Sequence, residues 1–127
     1  LARHTFDAGD IVLPGQTVVV FGGGSADITP NGATVVVADN ASDPGTQLFL
    51  HLDPTGDIVR LRDALGDLVA ELAYGSEGTG GLPDANLDES ITRDPQISGT
   101  DWAAHGGVSG NASPFSPGTQ ADGSDFP

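Results

Sequence analysis

Hydrophobic and polar residues alternate in two runs near the middle of the chain, at residues 58–61 and 68–72. A polar segment separates the runs at residues 63–67, with Gly66 near its end. Period-two alternation on both sides of a short Gly-containing turn is typical of a β-hairpin. The pattern therefore predicts a β-rich chain with a central hairpin.

Short apolar runs predict further strands on either side of the hairpin. Three runs combine β-branched or aromatic residues with lengths that suit strands, at residues 17–21, 33–38 and 89–93. A last brief element of unassigned type is expected at residues 102–105. Residues 47–52 have the apolar density of a third strand but suit a short helical turn equally well. Pro14 and Gly15 predict a turn at residues 13–16, just before the first run.

The composition limits the chain to one modest domain. It has 127 residues, 37% of them hydrophobic, with 19 Gly and 9 Pro. That content favours frequent turns over long helices, and from Gly106 onward we expect irregular structure. No apolar run approaches the roughly 20 residues that span a bilayer. The chain starts at Leu1 without Met, so we expect a processed or excised piece of a longer protein.

The charge balance is strongly acidic, with 18 Asp and Glu against four Arg and a net charge of −14. Phosphate backbones and anionic membranes require basic patches, so we expect neither nucleic-acid binding nor membrane insertion. Three interpretations of the acids stay open: adaptation to high salt, Ca²⁺ binding in Asp-rich loops, and a solvated surface that keeps the protein soluble. Cys is absent, which excludes disulfides and thiolate metal sites.

Two segments share the spacing D-x-x-G-D, at residues 53–57 and 63–67. Asp opens turns by accepting backbone N–H bonds, and Gly adopts the left-handed conformation, so we interpret both segments as turns. Neither has the ligand spacing of an EF-hand. Weak candidates for metal ligands remain in the Asp-bearing loops: Asp39, Asp43, Asp53, Asp57, Asp84 and Asp88.

The sequence offers no catalytic set. His4, His51 and His105 are isolated from one another, and His51 lies in an apolar run that suggests a half-buried strand residue. No G-x-S-x-G motif occurs, and a phosphate-binding P-loop is excluded because the chain has no Lys. We therefore predict no catalytic residue, no cofactor and no enzyme activity. Trp102 is expected to anchor a core or an interface, and Arg93 to clip a carboxylate or loop carbonyls.

Four ordered segments together resemble the lamin tail domain, in its prokaryotic branch. They are LPGQTVVVFGGG at 13–24, GDIVRLRDALGDLVAELAYG at 56–75, ESITRDPQISGTDWAAH at 89–105 and FSPGT at 115–119. The resemblance implies an all-β, immunoglobulin-like β-sandwich over residues 1–119, followed by an acidic C-terminal tail at 120–127. The family's opening strands have no counterpart here, so we expect the sandwich to be incomplete at its N-terminus, with an exposed strand edge.

The resemblance also implies a function. We expect a non-catalytic accessory or interaction module of an exported or surface-associated protein, located outside the cell or on its surface. Its partner would be another protein or another domain of the parent chain, and an exposed strand edge could also support a homo-oligomer. The alternative is a Ca²⁺-dependent domain that binds a glycan or another surface ligand. A salt-rich cytoplasm is the alternative location.

Overall fold

The computed structural model describes residues 2–22, 32–38, 50–78, 88–111 and 113–127. This part of the chain is all-β, with six strands in three two-stranded sheets and no α-helix, which confirms the β-rich prediction. The strands are β1 (Val18–Phe21), β2 (Thr34–Val37), β3 (Gly56–Arg62), β4 (Leu68–Gly75), β5 (Ile91–Asp94) and β6 (Asp101–Ala104). A 3-10 turn, His105–Gly107, follows β6. None of the described helical structure has the length and apolarity of a membrane span.

The chain divides into two compact units. The first unit comprises Leu1–His51 and Ser116–Pro127, and the second comprises Leu52–Phe115. Strands β1 and β2 belong to the first unit, whereas β3 to β6 belong to the second.

The first unit contains a parallel strand pair. Strands β1 and β2 run in register from Val18 beside Thr34 to Phe21 beside Val37. The amide of Ala38 extends the ladder by donating to the Phe21 carbonyl at 2.8 Å. The strands are half-buried apart from exposed Thr34, and Ala38 is buried. Both predicted strands are confirmed, although the sequence did not predict their pairing.

Two local features complete the first unit. The amide of Gln16 donates to the Leu13 carbonyl at 2.9 Å, which confirms the predicted turn before β1. Near the C-terminus, Ala121 is buried and the Gln120 amide donates to the Ser124 carbonyl at 2.8 Å. Residues 120–127 thus lie within the first unit, and their separation as an acidic tail stays a prediction.

The second unit contains two antiparallel pairs. Strands β3 and β4 form the predicted hairpin, whose register shifts at a bulge after Leu61. Strands β5 and β6 pair from Ile91 beside Ala104 to Asp94 beside Asp101. Among the described residues of this unit, the buried side chains are Tyr74, His105 and Val108.

The expectation for His51 is wrong. His51 is exposed, lies outside any strand and has a positive φ of 48°. Histidine is among the residues that adopt the left-handed conformation more often than most, so the backbone turns here instead of extending. Residues 50–52 are likewise not in a strand, and the rest of the strand proposed at 47–52 lies outside the described residues.

Candidate functional site

The paired strand residues of the β3–β4 hairpin on one face, between its base and its tip, are all apolar. Directly opposed residues of an antiparallel pair share a face, and alternate residues along a strand return to it. Val59 pairs with Leu72, and Leu61 pairs with Ala70. These four residues (Val59, Leu61, Ala70 and Leu72) form what we call the apolar hairpin face.

The apolar hairpin face is accessible to solvent over much of its area. Val59 is 42% exposed and Leu61 is 47% exposed. Ala70 is also exposed, and Leu72 is half-buried. Scattered exposed apolar residues are ordinary, whereas large contiguous apolar patches often mark surfaces that contact other molecules.

The opposite face of the hairpin carries an ion pair beside the apolar side chains of Ile58, Val69 and Ala73, and Val69 is 60% exposed. Arg60 Nε lies 2.7 Å from Glu71 Oε2, and these two residues are cross-strand partners. Near the turn, Arg62 Nη1 donates to the Gly66 carbonyl at 2.8 Å. Both cations of the hairpin are therefore engaged by groups of the hairpin itself.

The turn at the tip depends on one carboxylate. Asp63 Oδ1 accepts hydrogen bonds from the amides of Leu65 and Asp67, each at 2.9 Å. Gly66 has a φ of +88°, a conformation that costs glycine little and other residues more. These contacts confirm the turn interpretation of the segment at 63–67.

The related segment before β3 uses the same chemistry. Asp53 Oδ1 accepts from the amide of Thr55 at 2.8 Å and from its hydroxyl at 2.7 Å. Asp57 Oδ1 accepts from the Ile58 amide at 2.7 Å, and its Oδ2 accepts from the Asp53 amide at 3.4 Å. The turn interpretation of residues 53–57 is confirmed as well.

Tyr74 closes the base of the hairpin. It is buried, and its hydroxyl donates to the Asp53 carbonyl at 2.7 Å. Burial raises the pKa of the Tyr74 phenol, and the negative charges of Asp57 and then Asp53 raise this pKa further. Each cause acts against the phenolate, which would be a poorly solvated anion close to two carboxylates.

The metal-ligand candidates are brought together only in part. Asp53 and Asp57 are neighbours in one turn. Asp88 lies in a different part of the chain, and its backbone φ is 53°. Within the described ranges, no group of three or more His, Asp or Glu side chains is arranged to hold a metal ion. Asp39, Asp43 and Asp84 lie outside the described residues, so the metal candidates stay a prediction.

The remaining histidines have structural surroundings. His4 packs edge-on against Phe6, with ring centroids 4.8 Å apart. His105 is only 1% exposed, and its backbone amide donates to the Ser90 carbonyl at 2.8 Å. The His105 carbonyl accepts from Asn111 Nδ2 at 2.7 Å. These contacts tie the 3-10 turn to the start of β5 and to the segment that follows it.

Arg93 has a partner that the sequence did not indicate. Its guanidinium lies 5.3 Å from the centre of the Trp102 ring, in the range of a cation–π interaction. The two residues are directly opposed on β5 and β6. Only the strand register could have indicated this contact, since nine residues separate the pair in sequence.

The first unit has a shallow cavity of about 210 Å³ with mostly polar walls. Its lining residues are Gly15, Thr17, Gly32, Gly118, Asp125 and Phe126. The Thr17 hydroxyl is already occupied, because it donates to the Gly118 carbonyl at 3.2 Å. Asp125 is the single ionisable side chain among the described lining residues, and one carboxylate does not make a catalytic set.

Comparison with known proteins adds no relative. No family model matches the chain, and no significant match was found among the curated proteins or the solved structures.

Proposed function

We propose that this chain is a non-catalytic interaction module that contacts another protein through the apolar hairpin face. The observation that carries the proposal is the exposure of Val59 and Leu61 on one side of an ordered antiparallel hairpin. Burying such side chains against a partner removes apolar area from water, at about 25 cal/mol per Å² before the costs of association.

The strand edges support a protein as the partner. All described strands belong to two-stranded sheets, so each has one edge without a neighbouring strand in the described part of the chain. Exposed edges offer backbone donors and acceptors that another polypeptide can pair with. Edge pairing and face packing both favour a polypeptide over a small molecule.

The proposal includes the fold that the sequence resembles. An immunoglobulin-like sandwich of the lamin tail type would use the hairpin as part of one sheet, in an exported or surface-associated protein. The order of the four resembling segments and the all-β structure support this assignment. A crystal structure with two sheets packed face to face about 10 Å apart would agree with it, and separate sheets would not.

Photo-crosslinking in the native host tests the interaction directly. The change Leu61→p-benzoylphenylalanine places a reactive group on the apolar hairpin face. A matched control uses Leu13→p-benzoylphenylalanine, because Leu13 is also an exposed leucine but lies in the first unit. We expect a discrete crosslinked product from position 61 that is absent or much weaker from position 13.

Other results would contradict the proposal. If neither position gives a discrete product, or if both give the same products, the apolar hairpin face is not a specific contact surface. Turnover of a hydrolase substrate that is lost on mutation of one acid would contradict the non-catalytic part of the proposal.

A further inference from the structure

We propose that the partner contributes an extended segment with Lys or Arg at both ends of a short alternating apolar stretch. This inference rests on the proposed function, since it names the chemistry of the partner at the same surface. The segment would lie along the apolar hairpin face, with its apolar side chains against Val59 and Leu61. Its cations would lie near acids at the two ends of that face.

The acids bracket the apolar hairpin face along β3. Asp57 has the same parity as Val59 and Leu61 and lies at the base of the hairpin. Asp63 and Asp67 form the turn at the tip. Residues 57 and 63 are six apart, which in an extended strand corresponds to about 20 Å. A second extended segment spans the same length with the same number of residues.

The hairpin's own cations only partly offset these acids. Arg60 is paired with Glu71 on the opposite face, and Arg62, which donates to the Gly66 carbonyl, is the one cation in the turn beside Asp63 and Asp67. Asp67 accepts no described hydrogen bond through its carboxylate, because the turn uses its backbone amide and carbonyl. The ends of the apolar hairpin face therefore present negative charge to a partner.

The surroundings of Tyr74 show the effect of the two carboxylates at the base. Tyr74 is directly opposite Asp57 in the β3–β4 register, so it lies on the same face as Val59 and Leu61. The carboxylates of Asp57 and Asp53 both act electrostatically on its phenol. The two carboxylates would attract a cation placed at this end and would repel an anion.

A second copy of this chain is a poor occupant of the face. The chain carries a net charge of −14, and a symmetric contact would place the acids at one end of the face against acids of the other copy. Like charges across an interface oppose association, so a basic segment is the better complement.

Binding of synthetic peptides to the complete chain tests the inference. The probe is the capped, fluorescently labelled peptide RTVTVTR, in which Arg, Val, Val and Arg share one side of the strand. Two controls separate charge from burial: ETVTVTE reverses the charge, and RTSTSTR removes the apolar side chains. We expect RTVTVTR to bind at least about tenfold more tightly than either control, and more weakly as NaCl increases.

Matched variants locate the binding site. The double change Val59→Thr and Leu61→Thr should weaken RTVTVTR binding by about tenfold, because it removes apolar area from the face. Threonine is common in β-strands, so the strand should be retained. The change Asp67→Asn should weaken it by about two- to threefold, with a smaller salt dependence. Val12→Thr, at an exposed valine of the first unit, should leave binding unchanged.

Each adverse result has a distinct meaning. Equal binding of RTVTVTR and ETVTVTE would overturn the basic partner, while a crosslink at position 61 would still support the interaction module. Absence of RTVTVTR binding would overturn the inference, and absence of the crosslink as well would overturn the proposed function. Concentration-dependent dimerisation in sedimentation, abolished by the double variant, would identify a second copy as the occupant and also overturn the inference.

Discussion

The β3–β4 hairpin and the β1–β2 pair are built from similar residues but differ in strand length, direction and connection. The hairpin strands have seven and eight residues, and a turn that begins at Asp63 joins them directly. Strands β1 and β2 have four residues each and run parallel. A parallel pair requires a crossover connection, whereas an antiparallel pair requires only a short turn. The hairpin is therefore encoded locally, and the parallel pair depends on contacts distant in sequence.

The side-chain patterns of the two regions differ in the same way. Strands β1 and β2 read as VVVF and TVVV, with apolar residues on both faces, which is typical of strands covered on both sides. The hairpin alternates, so its two faces have different roles. One face holds the Arg60–Glu71 pair, and the other is the apolar hairpin face. Alternation thus reveals a surface that a uniform apolar strand cannot show.

The largest expected effect concerns the base of the hairpin. Gly75 has a φ of +57°, and a Cβ there would collide with the Thr55 carbonyl and lie 2.7 Å from Gly56 Cα. We expect Gly75→Ala to reduce the free energy of unfolding by about 3 kcal/mol, through backbone strain and overlap. Denaturant titration followed by Trp102 fluorescence measures this, since Trp102 is the only tryptophan and lies in the second unit.

Gly66 provides the matched control for that substitution. Its φ is +88°, but a Cβ would meet no atom within 4 Å. Gly66→Ala should therefore reduce the free energy of unfolding by only about 1 kcal/mol, because alanine is less stable than glycine in the left-handed backbone conformation. Equal losses for the two variants would show that the base of the hairpin is not tightly packed.

A pair of valine truncations tests the difference between the two regions. Val36 is half-buried in β2, whereas Val59 is exposed on the apolar hairpin face. We expect Val36→Ala to reduce the free energy of unfolding by about 1–1.5 kcal/mol, and Val59→Ala to reduce it by less than about 0.5 kcal/mol. Calorimetric unfolding of both variants measures these losses. A larger loss from Val59→Ala would mean that the hairpin face is covered in the isolated protein.

Tyr74→Phe removes one hydrogen bond from the base of the hairpin. Its hydroxyl donates to the Asp53 carbonyl, so we expect a loss of about 1 kcal/mol at neutral pH. Tyr74 is the only tyrosine, so the absorbance of tyrosinate reports this residue alone during an alkaline titration. The titration midpoint should lie above about 10, the usual pKa of tyrosine.

The raised pKa fixes the sign of the alkaline pH dependence. Above the unfolded-state pKa, the unfolded chain loses the Tyr74 proton while the folded chain retains it, so stability falls as the pH rises towards the folded-state pKa. Below the unfolded-state pKa this contribution is fully present. Tyr74→Phe should flatten the alkaline fall, and an unchanged slope would contradict the raised pKa.

The smallest expected effect concerns the Arg60–Glu71 ion pair. The Arg60–Glu71 pair is short, but both side chains are more than two-fifths exposed. Exposed ion pairs contribute little, so Glu71→Gln should cost about 0.5 kcal/mol or less in a urea titration at low salt. A loss several times larger would indicate that the Arg60–Glu71 pair is a major source of the hairpin's stability.

The sequence predicted the features that depend on neighbouring residues. The hairpin, its turn and the turn before β1 follow from alternation and from Asp, Gly and Pro at set positions. Residues that act across the fold could not be found this way. The Arg93–Trp102 contact needs the β5–β6 register, and the pairing of Val18 with Thr34 needs a non-local connection.

The candidate site was predictable only in part for the same reason. Alternation placed Val59 and Leu61 on one side of a strand, but no local signal shows whether another element covers them. The exposure of the apolar hairpin face follows from the tertiary structure. The D-x-x-G-D segments are the opposite case, because their hydrogen bonds lie within a few residues and turn chemistry alone explains them.

Hydrogen–deuterium exchange of the complete chain, with and without saturating RTVTVTR, tests the central claim most directly. Bound peptide should slow exchange in the hairpin, around residues 59–61 and 70–72, and leave β1 and β2 unchanged. Protection confined to β1 and β2, or none in the hairpin despite measurable peptide binding, would contradict the claim that the exposed hairpin face receives the partner.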